Sequence, residues 1–234
     1  MPKGSKESCF QSLRQRILTT DLAPGADLDE ATLSATYDIS RTPLREVLQR
    51  LSGRGYARIE TNRGAKVASM DIGVMRTFFQ TAPMIYAHIA RLAAENRKPD
   101  ELDDLKSDQQ DFAAAVANGD VTRAALSNHR FHGTIGRMAH NPYLTACLDR
   151  LLIDHTRLSQ TFYRPTEPRD SAAIQMAVEQ HDAMIVAIED RAPERALELT
   201  HAHWDLSRDR MDRFVRPDPL PVDPIHSEEG ADAV

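Results

Sequence analysis

The amino-acid sequence predicts a mainly α protein in two parts, a small N-terminal head of three helices and a β-hairpin followed by a C-terminal all-α helical bundle. Short apolar-periodic runs punctuated by Pro and Gly fill the first third, whereas helical periodicity runs almost unbroken from Asp71 to about Phe214. The charge also changes sign between the parts: residues 1–70 hold 11 Lys and Arg against 8 Asp and Glu, the remainder 18 against 27. The expected organisation is therefore 1–70, 71–215 and a Pro-rich, acidic stretch 216–234 with almost no core-forming residues, expected to be a disordered tail.

The totals exclude several classes. With 41% hydrophobic and 27% charged residues the chain reads as globular. Every apolar stretch is broken by charge before the ~20 residues a membrane span needs, and "MPKGSKES" lacks the apolar core of a signal peptide. A cytoplasmic protein with no membrane partner is expected. Cys9 and Cys147 lie far apart without CxxC spacing, which argues against a disulfide framework or a cysteine zinc site.

In the head, Phe10, Leu13 and Ile17 sit at helical spacing on a first helix that stops at "APG" (Ala23 to Gly25). A second helix runs from about Glu30 to Tyr37 with Asp29 as N-cap. The third, in "SRTPLREVLQRL", is expected to open with Thr42 as cap and Pro43 in the first helical position, where a missing N–H is harmless. Leu44, Val47, Leu48 and Leu51 form its buried stripe, while Arg45, Gln49 and a Glu46/Arg50 pair fall outside it. Two extended pieces, Ala57 to Glu60 and Lys66 to Ala68, flank "TNRG", whose Arg63-Gly64 suits a hairpin tip. Helix, helix, helix, hairpin is the winged helix-turn-helix order, in which the third helix enters the major groove of double-stranded DNA. From Arg41 to Lys66 seven basic residues stand against two acids, Glu46 and Glu60, as a polyanion partner requires.

Residues 11–68, and "SRTPLRE" and "NRGAKV" above all, resemble the DNA-binding domain of GntR-family transcription regulators. The resemblance implies that Ser40, Arg41, Thr42 and Arg45 contact the operator and that Gly64 is the wing tip; Gln49 and Arg63 join them by position. Two residues depart from the pattern: Asp38 stands where the family often has Gly in the turn, and Thr32 near where some members place a basic contact.

The remaining breaks, at "NRKPDE", "NGD", "HNP", "RPTEPRD" and "DRAPE", delimit six bundle helices, with Asp120 and Asn141 as N-caps. Three of them carry polar residues on their apolar seams. Ala125, Asn128, His132, Ile135 and Ala139 are spaced 3, 4, 3, 4; Ile174, Val178, His181, Ile185 and Ile188 repeat the rhythm, and Ala196, Leu199, His203 and Leu206 do so again. Three imidazoles and an amide are thereby aimed into the bundle, where a metal bound by them would offset their burial; single histidines in such places also serve as satisfied core residues. His88, His129, His140, His155 and His201 take that second reading.

This second part, about residues 72–212, resembles the FCD ligand-binding domain of the FadR-type GntR subfamily. There a D-x-x-F-H motif and two later single histidines hold a divalent metal; the matching positions are Asn128 and His132 in "NHRFH", His181 and His203. Asn128 replaces the usual Asp. The resemblance implies a homodimeric regulator, usually a repressor, whose operator affinity follows a small metabolite. Zinc or nickel is the expected ion and a carboxylate the expected effector. The first bundle helix lacks the Arg and Glu common in such domains and contains Pro83, expected to kink it. A carboxylate is left with the metal, Tyr86, Arg150 or Arg157, although the two arginines could equally pair with Asp154 between them. Alternatives are the same regulator with a metal-free pocket, and a metal-dependent hydrolase using three histidines and an open position, for which no HExxH-type base is present.

Overall fold

The structure, a computed structural model, describes residues 5–60 and 64–215, with side chains to residue 206. Arg63 and the stretch 216–234 lie outside the described residues. The head consists of α1 (Lys6–Leu18), β1 (Asp27–Leu28), α2 (Glu30–Tyr37), α3 (Arg41–Gly53), β2 (Ala57–Glu60) and β3 (Gly64–Val67). The bundle consists of α4 (Ile72–Asn96), α5 (Pro99–Ala117), α6 (Val121–Met138), α7 (Pro142–Phe162), α8 (Pro168–Glu189) and α9 (Pro193–Val215).

Local signals account for most of the boundaries. Asp29 caps α2 by accepting from the Thr32 amide at 2.7 Å, and Asp38 ends it in the left-handed region at φ 48°. Asp71, Asp120 and Asn141 cap α4, α6 and α7 in the same way. Three expectations need correction. α3 starts at Arg41 with Ser40 as N-cap, so Pro43 is the third helical residue; the first three N–H groups of a helix have no partner anyway, and proline costs nothing there either. α1 ends at Leu18, before "APG", and the chain after it adds the short strand β1, giving a sheet of order β1-β3-β2. β1 pairs Asp27 with Lys66 and Leu28 with Ala65, and β2 pairs Ala57 with Val67 through Glu60 with Gly64, all antiparallel. α4 is assigned as one helix through Pro83.

The Glu46/Arg50 pair is not made within α3. Glu46 instead meets Lys6 at 2.5 Å, and Arg50 meets Glu7 at 2.5 Å while its guanidinium lies 3.8 Å from the Phe10 ring centre, so both side chains clamp α3 onto α1. Phe10, Leu13, Ile17, Leu44, Leu48 and Leu51 belong to the head core, joined from the bundle by the fully buried Ile153 of α7 and the partly buried Leu126 of α6.

α7 is thus shared by the two parts. Beyond Ile153, Arg157 donates from Nη1 to the Ala68 carbonyl at 2.7 Å and from Nη2 to Asp154, while Gln160 reaches the Leu18 carbonyl at 3.4 Å. Arg157 is 2% exposed, so removing it leaves Asp154 buried with only the peripheral Arg150 as partner. Breaking a buried pair costs several kcal/mol. Arg157→Ala is therefore expected to lower stability by about 3 kcal/mol, read as a shift of the urea midpoint; an unchanged midpoint would mean that this contact does not hold head and bundle together.

Candidate functional site

The first turn of α3 exposes Ser40, Arg41, Thr42, Arg45 and Gln49 on one side while Leu44, Val47 and Leu48 are buried on the other. Unlike α1, α2, α4, α6 and α7, this helix has no side chain bonded to its first amides, because Ser40 makes no cap bond. Those amides and the helix dipole leave a ready phosphate site. Arg45 is 65% exposed at its side chain and its Nε lies 3.0 Å from both oxygens of Glu30 on α2. Gly64 opens β3 at φ +81° with nothing near the position a Cβ would take.

The second site lies within the bundle. His132 of α6, His181 of α8 and His203 of α9 are buried, and one nitrogen from each falls within 4.8 Å of the others, slightly wider than the ~4.2 Å maximum for two nitrogens bonded to one ion at ~2.1 Å. Asn128, one turn before His132, is 1% exposed. Its Oδ1 and Nδ2, with Nε2 of His132 and of His181, have no hydrogen-bond partner among the described residues. Unpartnered polar atoms at this depth are uncommon, and four stand together here.

The tautomers can be derived. Gln109 of α5 donates its amide N–H groups to the Val178 carbonyl at 3.0 Å and to Asp182 at 2.9 Å, which turns its Oε1 toward His181 Nδ1, 3.0 Å away. His181 must then donate from Nδ1, leaving the Nε2 lone pair free. Gln180 accepts from His203 Nδ1 at 3.0 Å in the same manner. This outer layer of hydrogen bonds is what orients imidazoles for a metal. The Phe131 ring stacks on His181 at 4.0 Å and 14°. Burial, reinforced by the neighbouring imidazoles, holds His132 and His181 well below the ordinary histidine range, and burial brings His203 down to about 4.

Tyr86 lies in this cluster, edge-on to His132 at 5.2 Å, with its hydroxyl 2.9 Å from Nδ1 of the half-buried His155. Arg150 and Arg157 do not join it. Both are bonded to Asp154, Arg150 at 3.1 Å, and neither lines a cavity touching the histidines. His129 also faces away. Thr156 donates to the Leu152 carbonyl at 2.6 Å and so accepts from His129 Nδ1 at 2.6 Å; His129 Nε2 is left to accept from Arg14 of the head at 3.2 Å. Burial, with Arg14 beside it, brings its pKa down to about 4.

Sequence reasoning missed Gln109, Gln180 and His155 as parts of this neighbourhood. Gln109 left a signal: Leu102, Leu105, Gln109 and Phe112 are spaced 3, 4, 3, a polar interruption of an apolar seam like those that disclosed the histidines.

Comparison with known proteins identifies the family of each part. Residues 6–67 match the bacterial regulatory proteins of the gntR family, and residues 79–206 match the FCD domain. The chain belongs to the GntR family, in its FCD branch. This GntR-family member is 19% identical over 197 residues to the HTH-type transcriptional regulator YdhC of Bacillus subtilis (strain 168), covering 84% of this chain and 86% of the relative. It is 23% identical over 192 residues to the HTH-type transcriptional repressor RspR of Escherichia coli (strain K12), covering 75% and 84%. Among solved structures, McbR/YncC of E. coli superposes with a TM-score of 0.73 at 18% identity, covering 90% of this chain and 96% of that one. The protein is a transcriptional regulator of a family that binds DNA operators, and the hydrolase alternative is set aside. No helix among the described residues is long and apolar enough to cross a membrane.

The depressed histidines make the metal-free regulator acid-sensitive. Between pH 6.5 and about 4 an unfolded chain binds protons that His203 and His129 of the folded chain refuse, so stability falls as pH falls through that window. Urea titrations of chelator-treated protein should lose up to ~1.4 kcal/mol per pH unit per histidine, and a midpoint constant from pH 7 to 5 would contradict neutral burial.

Proposed function

We propose that this regulator is a homodimeric repressor that binds a palindromic operator in the cytoplasm through the exposed face of α3 and the wing. In this reading a divalent metal held by Asn128, His132, His181 and His203 anchors a small carboxylate effector. The observation that carries it is the set of buried, unpartnered Asn128, His132 and His181 atoms, with Gln109 and Gln180 fixing the neighbouring tautomers so that Nε2 lone pairs are free. The chemistry of the donor set, three imidazoles and an amide, suits zinc or nickel. Bound there, the ion would supply Lewis acidity and positive charge for an anion beside cavities that no arginine lines.

On the DNA side of this reading, Arg41 and Arg45 would reach base edges and Ser40, Thr42, Gln49 and Gly64 the backbone, joined by Arg63 from its position in the sequence; the exposure of the α3 residues and Gly64 supports it. The effector would favour one arrangement of the two heads over another, and operator affinity would follow. Tyr86 belongs to the effector site in this reading, and Arg150 and Arg157 to the head–bundle junction. A metal-free pocket is the second reading, favoured by the neutral amide of Asn128 where a carboxylate would bind an ion more tightly.

Two measurements test the proposal. Purified protein should carry about one zinc or nickel per chain and lose it on His132→Ala; absence of metal after supplementation would leave only the second reading. Arg45→Ala should weaken binding to the protein's own promoter region by about 10- to 100-fold, and unchanged binding would remove α3 as the reading helix.

A further inference from the structure

The cavity beside the histidines is lined mainly by rings, Phe78, Phe79, Phe162, Tyr163 and Trp204, and also by Leu158, His155, Ser159 and His203. No lysine, arginine, aspartate or glutamate lines it. The rings already meet one another edge-on or tilted, Phe79 with Trp204 at 6.4 Å and Phe78 with Trp204 at 5.6 Å, the arrangement into which a further aromatic ring fits best. A polyhydroxylated guest would surrender its hydration here to walls that offer few hydrogen-bond partners.

Charge adds an independent constraint. Three neutral imidazoles and the amide of Asn128 leave a bound dication uncompensated. On these helices Asp154 is paired with Arg150 and Arg157, and Asp182 reaches the cluster only through the neutral amide of Gln109 rather than as a ligand. Whatever completes the ion's shell is therefore favoured if it is an anion, and more so than it would be with an aspartate at position 128.

Resting on the metal-centred site proposed above, we infer that the effector is an aromatic monocarboxylate, its carboxylate on the metal beside His203 and its ring among Phe79, Phe162 and Trp204. The cavity is about 30 Å³, on a measure by which one water needs ~10–15 Å³, and the whole depression including its open side is about 460 Å³. The ring enters by displacing Leu158, half-buried at the wall, so binding is an induced fit on α7.

Trp204 is the chain's single tryptophan, so its fluorescence reports on this cavity alone. The test uses the full chain, with metal content measured first, then titrated with benzoate, gluconate and toluene. Benzoate should perturb the Trp204 emission with an affinity at least about 10-fold above gluconate, chelation should abolish most of that binding, and toluene should bind weakly with or without metal. Asn128→Asp should tighten zinc while weakening benzoate about 10-fold. Phe79→Ala, whose side chain is only half-buried, should weaken benzoate without altering zinc uptake, and serves if the Asn128 variant fails to fold. Gluconate binding as well as benzoate overturns the aromatic class and leaves the metal site standing. Benzoate binding that ignores chelation overturns the carboxylate-on-metal geometry, and a chain that takes up no metal overturns the site reading and this inference together.

Discussion

Burying three imidazoles in the middle of a helical bundle is the constraint around which this molecule is organised. A buried nitrogen without a partner costs about 1–3 kcal/mol, and α6, α8 and α9 each aim one at the same point. The surrounding residues are arranged to satisfy one nitrogen of two rings and to leave the other free. Gln109 occupies a seam position on α5, where an apolar residue would pack better, because its amide must span Val178, Asp182 and His181 at once. Phe131 fills the space over His181, and Tyr86 and His155 bond each other across α4 and α7. Helices from opposite sides of the bundle are tied together by polar contacts whose common purpose is to present lone pairs.

The same helices connect this centre to the head. On α6, Asn128 and His132 face the centre, while His129, on the other side of the helix, accepts from Arg14. On α7, His155 faces Tyr86 while Ile153 and Arg157 are embedded in or bonded to the head. These groups lie within a single turn. A helix moves as a body, so a shift of α7 at His155 would also move the surface on which α1 and Ala68 rest. In the proposed mechanism the guest's displacement of Leu158, one turn beyond Asp154, acts directly on that shared helix.

Much of this was legible in the sequence, and the exceptions share a physical cause. Helix periodicity located the six bundle helices and the caps of two, since Asp120 and Asn141 act on amides two or three residues away. The seams of α6, α8 and α9 put Asn128, His132, His181 and His203 on buried faces because a 3.6-residue repeat is a local property. Non-local pairings were not legible. β1 exists only because Asp27 and Leu28 meet Lys66 and Ala65, and Glu46 and Arg50, well spaced for each other, found stronger partners on α1. Arg157 could have been an effector ligand by composition; its place at the junction with the Ala68 carbonyl is a fact of tertiary structure.

The head shows how little energy separates its free and DNA-bound charge arrangements. Lys6, Arg50 and Lys66 are paired with Glu46, Glu7 and Asp27, while Arg41 stands exposed at the start of α3. Arg45 alone among the expected contacts there is held, by Glu30. An exposed pair of this kind contributes at most about 1 kcal/mol, less than a bidentate contact to guanine is worth, about 1–3 kcal/mol. In the proposed recognition mode, Glu30 would keep the guanidinium ordered beside the exposed face of α3 in the free protein and still release it to a base. The pair restricts Arg45 before binding without competing seriously afterwards, and it places the entropy cost of ordering that side chain in folding rather than in recognition.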